Sequence, residues 1–321
     1  MYQSLRILAV FICMPLCSLT AGCPEEAAIV TDDLICCSKA EVFIIESTSE
    51  GMESPNHKWN WQASDSTEIP EAMQSRFVNV ADCKPVGKFI LVVSSSSGVA
   101  IIQRSDRKCI FHTFATNAHS ACLLPQQHIA IASSYGGDEI VIYSYQDIAT
   151  SNNPDARLEL HGAHGVYWDK QRSRLWGLGD SKLILVAITD TDNRMSLAVE
   201  KEWNLPTKGG HDLSPAQDGK SLFVTTDTQV YRFEMTEGLF KLDEDLGLKL
   251  KVKSVDQHPL SGEIVYQQAG ESWWGETVRF VGSDQTIEVP GERFYKFRWD
   301  APAELPEAEL IKKNTRLPRK E

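Results

Sequence analysis

Three histidines stand in similar local settings: Asn117-Ala118-His119-Ser120, Gly162-Ala163-His164-Gly165 and Gly210-His211-Asp212. They are 45 and 47 residues apart (119 to 164, then 164 to 211). Imidazole is the side chain whose ordinary pKa lies nearest neutrality, and three together suit three chemistries. Neutral rings can hold a divalent metal, Mn, Ca or Zn, and leave positions open for substrate. A His or Lys base beside a Tyr acid can abstract the proton next to a uronate carboxylate. The same groups can simply bind an anionic sugar through charge-assisted hydrogen bonds.

Which of these applies depends on the elements that position the rings. A period in the forties points to propeller blades or a solenoid. Helix signals are sparse, and short β-branched and aromatic runs alternate with Gly, Ser, Asp and Asn. Six paired runs recur: Leu34–Ser38 with Val42–Glu46, Phe89–Val93 with Val99–Gln103, Ile129–Ser133 with Ile140–Tyr145, Leu175–Gly179 with Leu183–Ile188, Leu222–Thr226 with Gln229–Glu234, and Ile264–Gln268 with Thr277–Val281. Their starts are separated by 55, 40, 46, 47 and 42 residues.

A third, more polar run follows each pair: Lys58–Gln62, Lys108–Thr113, Arg157–Leu160, Ala198–Leu205, Leu246–Leu250 and Thr286–Val289. A further run precedes the next pair: Phe77–Ala81, His119–Leu123, His164–Trp168, His211–Leu213 and Lys253–Gln257. This four-strand grammar predicts an all-β fold, a six-bladed β-propeller over 32–300. The first pair lacks a preceding strand, and no hairpin follows 294–299. The C-terminal strand 294–299 therefore joins the first blade and closes the ring.

Innermost propeller strands surround a channel, so equivalent residues at their starts meet at one mouth. Counting back from each hairpin places Asn79, His119, His164, His211, Lys253 and Tyr295 on that rim. In an enzyme, a histidine is the base, Tyr295 the acid, and Lys253 or a metal on His119, His164 and His211 neutralises the carboxylate. The structural alternative is that each histidine only ties its strand to a neighbouring blade.

Further candidates lie nearby. Trp273-Trp274, between Gly270 and Gly275, offers a stacking platform for sugar rings. Arg76 precedes an inner strand and is within reach of the mouth. Asp212 follows His211 and can orient an imidazole, although strand alternation points it the other way. His161 is expected outside the ring, His258 in a turn, and Trp59, Trp61, Trp168 and Trp176 in the core. No GxSxG elbow, P-loop, HExxH or dinucleotide fingerprint occurs, which removes serine-hydrolase, kinase and Rossmann readings.

The formal charge of -12 over 321 residues disfavours nucleic acid as a partner. Arg6 precedes the apolar stretch Ile7–Leu19, too short for an ordinary span and read as a signal peptide over 1–22. Leu19-Thr20-Ala21-Gly22-Cys23 reads as a lipobox, with Cys23 lipidated, 23–31 a tether and 301–321 a loose tail. Cleavage near Ala21 without lipidation is the alternative. Both readings export the chain, and the first makes it an envelope lipoprotein. Five cysteines remain, Cys36, Cys37, Cys83, Cys109 and Cys122, an odd and irregular set that reads as buried thiols. One bridge, Cys83 with Cys109 or Cys122, is the alternative.

The segments Leu34-Ile-Cys-Cys-Ser38, Trp59-x-Trp61, Asn117-Ala-His-Ser-Ala-Cys-Leu-Leu-Pro125, Gly162-Ala-His-Gly-Val-Tyr-Trp-Asp169, Arg174-Leu-Trp-Gly-Leu-Gly179, Gly210-His-Asp-Leu-Ser214 and Glu271-Ser-Trp-Trp-Gly275 resemble an uncharacterised family of exported bacterial propeller proteins. That resemblance covers nearly the whole mature chain and implies fold and export, without an activity. The channel histidines are also similar to those of propeller lyases acting on oligouronates, although Lys253 stands where a metal ligand belongs in them. The expected function is an exported propeller that binds, and in its enzymatic version cleaves by β-elimination, an acidic or neutral oligosaccharide at the channel mouth. A non-catalytic envelope scaffold that contacts other proteins is the alternative.

Overall fold

The computed structural model describes residues 30–47, 57–146, 153–191, 194–270 and 272–306. The signal stretch, Cys23, most of the tether and the tail from 307 lie outside the described residues. The described strands form six four-stranded antiparallel sheets, arranged as propeller blades. The innermost strands of blades two to six are Val80–Val86, Ala118–Leu124, Gly165–Asp169, Asp212–Pro215 and Val252–Gln257. Blade one takes its innermost strand from the other end of the chain. Phe294–Trp299 pairs antiparallel with Asp33–Ser38, matching Leu34 to Trp299 and Cys36 to Phe297. The ring closes as its sequence predicts.

The middle strands read as unbroken apolar runs because both faces are covered by neighbouring blades. Six hydrophobic clusters fill the six seams. Ile35, Val42 and Trp61 of blade one meet Cys83, Val92 and Ala100 of blade two. Phe297 and Phe43 meet Val265 and Val278 across the closing seam. Trp176 is fully buried and stacks on Trp203, with ring centroids 5.6 Å apart. Truncating such a side chain to Ala costs about 3–5 kcal/mol.

Two expected strands move. The inner run Phe77–Ala81 shifts to Val80–Val86, because Phe77 sits in a 3-10 turn and buries its ring in the first seam. The outer run Leu246–Leu250 is a turn, and Leu239–Leu242 is the strand. The tight turn at Gly238, with φ of 69°, brings Leu239 directly opposite Glu234.

All five cysteines are free and buried, so the bridge from Cys83 to Cys109 or Cys122 is not formed. Cys83 faces the first seam, whereas Cys122 faces the seam between blades three and four. Adjacent Cys36 and Cys37 face opposite seams, as strand alternation requires. Beyond Asp300 the chain crosses the end of the channel. Ala303 bridges Val86 in parallel, and its carbonyl accepts the N–H of Gly87 at 2.7 Å.

Candidate functional site

Irregular starts to the inner strands turn the mouth residues inward. The ladder skips Ala81 between Val80 and Asp82, His119 between Ala118 and Ser120, and Lys253 between Val252 and Ser254. A bulge inserts one residue and re-aims its side chain. His164 and His211 just precede their ladders, donating backbone N–H bonds to Leu178 and Thr225 at 2.8 and 2.9 Å. On the closing strand the shift falls between the pairs Cys36 with Phe297 and Ser38 with Phe294, at Tyr295 and Lys296.

Five expected rim residues consequently form one arc. Tyr295 and His119 have ring centroids 5.6 Å apart, His119 and His164 4.3 Å, and His164 and His211 5.4 Å. Lys253 Nζ then lies 2.5 Å from His211 Nε2. The sixth expected residue, Asn79, is absent from the arc. It is exposed and donates from Nδ2 to Ser96 Oγ at 3.0 Å, because the bulge residue of its strand is Ala81.

Arg76 also lies apart, its guanidinium over the Phe114 ring at 4.9 Å. Trp273 is 71% exposed, and Trp274 carries the Arg293 guanidinium over its ring at 4.9 Å. Their loop is tied at Gly275 to Phe294, the residue before Tyr295, which sets the pair beside the arc without joining it. Asp212 turns away from His211, as alternation predicts. His161 pairs with Asp138 outside the ring, and Nδ1 of His258 caps a turn by accepting N–H bonds from Leu260 and Ser261.

Two mouth residues escape the count. Asp227 Oδ1 stands 2.7 Å from His211 Nε2 and 3.6 Å from Lys253 Nζ. Tyr135 is 47% exposed, and its ring packs 5.7 Å from that of His164. Its hydroxyl donates to Asp180 at 2.8 Å. Both lie in turns just after the second strand of a blade, and those turns share a face with the inner-strand starts. That shared face is the signal that finds them.

Protonation follows from the contacts. His119 Nδ1 is 2.9 Å from the Asn117 carbonyl, and His164 Nδ1 is 2.8 Å from the Gly162 carbonyl. A carbonyl only accepts, so we assign the proton to Nδ1 in both, leaving Nε2 as an acceptor. Burial pulls the His119 pKa down to about 4 and depresses His164 well below the ordinary value. Burial also lowers His211, opposed by its bond to Asp227. Lys253 falls to about 8 through burial, opposed by Asp227. His211 Nε2 cannot donate to Asp227 and accept from Lys253 together, so the two contacts are alternatives set by the tautomer of His211. His211 Nδ1 is buried without a partner.

The metal reading does not fit this geometry. Among the described residues no group of three or more His, Cys, Asp or Glu side chains is arranged to hold an ion. The Lys253 ammonium takes the place in front of His211 Nε2 where an ion would sit.

Beneath the arc a buried ion network fills the channel. Arg298 contacts Asp212 at 2.6 and 2.7 Å and Asp82 at 3.2 Å. Lys296 Nζ pairs with Asp212 at 3.2 Å and reaches the His119 carbonyl at 3.3 Å. Lys84 Nζ donates to Ser120 Oγ at 2.7 Å. The mouth is therefore a shallow arc above a plug. The sequence signal for the plug is Lys296 and Arg298 alternating inside an otherwise aromatic strand, since buried charges must be paired.

A model of a family of unknown function, DUF6528, matches residues 22–307. No curated protein matches the chain. Among solved structures, the WD40 β-propeller domain of Doa1 is similar at 9% identity and a TM-score of 0.50, over 82% of this chain and 74% of that one. Hydrazine synthase of Kuenenia stuttgartiensis gives 11% identity and a TM-score of 0.45, over 65% of this chain and 64% of that one. The likeness to the Doa1 domain shows the fold alone.

Proposed function

We propose that this chain, which belongs to the DUF6528 family of unknown function, is an exported binding propeller that takes an acidic oligosaccharide at the channel mouth. The observation that carries this reading is the single arc of Tyr295, His119, His164, His211 and Lys253. At neutral pH its imidazoles are uncharged, so Lys253 supplies the cation for a uronate carboxylate. The Nε2 atoms of His119 and His164 accept sugar hydroxyls, and the exposed Tyr135 ring covers an apolar sugar face. Export and attachment through Cys23 rest on the N-terminal sequence.

The test is calorimetric titration of the protein with a panel of uronate and neutral oligosaccharides. Saturable binding of an acidic member, lost in Lys253→Met and weakened in Tyr135→Ala, supports the proposal. Absence of binding to every glycan overturns it.

The contact between Lys253 and His211 also favours a cleaving version. There a histidine removes the proton next to the carboxylate and the glycosidic C–O bond breaks. Tyr295, which burial keeps protonated, returns a proton to the leaving oxygen as the new C=C bond forms. Ultraviolet absorbance of the unsaturated product reads this step directly.

A further inference from the structure

The inner strands end, on the far side of the ion plug, around a cavity of about 510 Å³. Its polar floor repeats one register position around the ring: Lys84, Cys122, Tyr167, Ser214, Asp256 and Arg298. Each lies two residues further along its strand than Asp82, Ser120, Gly165, Asp212, Ser254 or Lys296, so alternation keeps it on the same face as that residue, and Lys84 and Arg298 belong to the plug as well as to the floor. The walls are apolar and include Trp168, Leu213, Leu260 and Trp299, with Pro302 from the crossing C-terminal segment. A volume of this size, apolar walls and a few convergent polar groups are the features of a small-molecule site.

We propose that this cavity binds an apolar carboxylate, such as an aliphatic or aromatic acid, with its head beside Asp256 and its body along Trp168, Leu213, Leu260 and Trp299. The site is separate from the mouth and does not depend on the saccharide reading.

Charge decides the sign of the head group. The plug and floor hold three cations, Lys84, Lys296 and Arg298, and two carboxylates, Asp82 and Asp212, that those cations keep ionised. Asp256 is the third carboxyl. Its Oδ2 accepts the Trp299 backbone N–H at 2.8 Å, and among the described residues no donor meets its Oδ1. Burial drives its pKa up to about 6, with Arg298 opposing and Asp212 and Asp82 adding to the rise.

When Asp256 is protonated, the cluster carries three positive and two negative charges in a poorly hydrated space. A ligand carboxylate supplies the missing negative charge and accepts the Asp256 proton, as two carboxyls sharing one proton do. A ligand cation would instead add a fourth positive charge. The charged rim residues Lys170 and Glu304 pair with each other at 2.9 Å, and His258 lies 3.5 Å from Asp32, so neither pair offers a free charge to the head.

The experiment titrates the full chain with decanoate, decylamine and decanol at pH 5.5 and 7.5, with folding checked by circular dichroism at both. Decanoate is expected to bind saturably and tightest of the three. Its affinity should rise about twentyfold from pH 7.5 to 5.5, the ratio of protonated carboxyl expected for a group titrating near 6. Asp256→Asn, which mimics the protonated acid, should bind decanoate equally at both pH values. Leu260→Asp, on the exposed rim, should weaken decanoate without affecting the fold, and Lys253→Met at the mouth should leave it unchanged. Tighter binding of decylamine, a pH-independent decanoate affinity in the unmodified chain, or no saturable binding overturns the proposal.

Discussion

Lys253 Nζ and His211 Nε2 meet at 2.5 Å across two neighbouring blades, with Asp227 Oδ1 2.7 Å from the same ring nitrogen. Lys253 is 5% exposed and Asp227 61% exposed, so the cation is held inside the mouth and its counter-charge outside. The folded pKa of Lys253, about 8, lies below its ordinary 10.5. The unfolded chain binds more protons between those values, so stability rises with pH across that window and the full penalty is present at pH 7. Lys253→Met should therefore stabilise the fold at pH 7 by roughly 1–3 kcal/mol while abolishing acidic-saccharide binding. Urea denaturation and calorimetry check the two effects on one variant. A loss of stability contradicts the burial argument.

The imidazoles make the fold acid-sensitive. His119, His164 and His211 all titrate below the ordinary 6.5 in the folded chain, His119 at about 4. Between 6.5 and those folded values the unfolded chain binds more protons, so stability falls as pH falls through this range. Asp256 acts oppositely between about 6 and 3.8, being raised in the fold. Three groups outweigh one, and the melting temperature should drop steadily from pH 7 to pH 5. His119→Phe should flatten that slope. An unchanged slope would show that His119 is not buried as a neutral ring.

The six hairpins were legible because burial on both faces leaves apolar runs such as Phe89–Val93 with turn residues between them. The closing strand was legible because an aromatic run at 294–299 had no hairpin of its own. Asn79 falls outside the arc because the bulge residue of its strand is Ala81, two positions later, and nothing at Val80-Ala81-Asp82 marks where the extra residue sits. Leu246–Leu250 attracted a strand assignment by its leucines, whereas the true outer strand Leu239–Leu242 is largely exposed and follows no burial pattern. Asp227 and Tyr135 belong to turns, whose direction depends on the blade and not on local sequence. The far cavity was invisible because its floor draws one residue from each of six strands, all of different types.

Arg298 donates to both Asp82 and Asp212 at the centre of the channel. Arg298→Met leaves two buried carboxylates with only Lys296 and Lys84 nearby. Breaking a buried pair by removing one partner costs about 3–5 kcal/mol. Because the network joins blades one, two and five, the loss should appear in the cooperative unfolding of the whole ring. Guanidinium denaturation followed by Trp fluorescence measures it. A loss below about 1 kcal/mol, typical of an exposed pair, would place the network in water.

The thiols connect the buried core to the processing of the N-terminus. Cys36, Cys37, Cys83, Cys109 and Cys122 are free and buried, and burial pushes Cys109 and Cys122 up to about 12. The thiolate is the reactive form, so a disulfide reagent at pH 8 should find almost none in the folded protein. After denaturation the number titrated depends on the first 23 residues. The chain has 8 cysteines, and Cys13, Cys17 and Cys23 precede the domain. Protein purified from its own host should give five thiols if the signal is removed and Cys23 is lipidated. Cleavage near Ala21 without lipidation gives six, because Cys23 stays free, and an unprocessed chain gives eight. Lipidation further predicts that Cys23→Ala shifts the protein from the membrane fraction to the soluble one. A count of six in a soluble protein would refute the anchor and leave the burial of the other five thiols, which the fold explains, untouched.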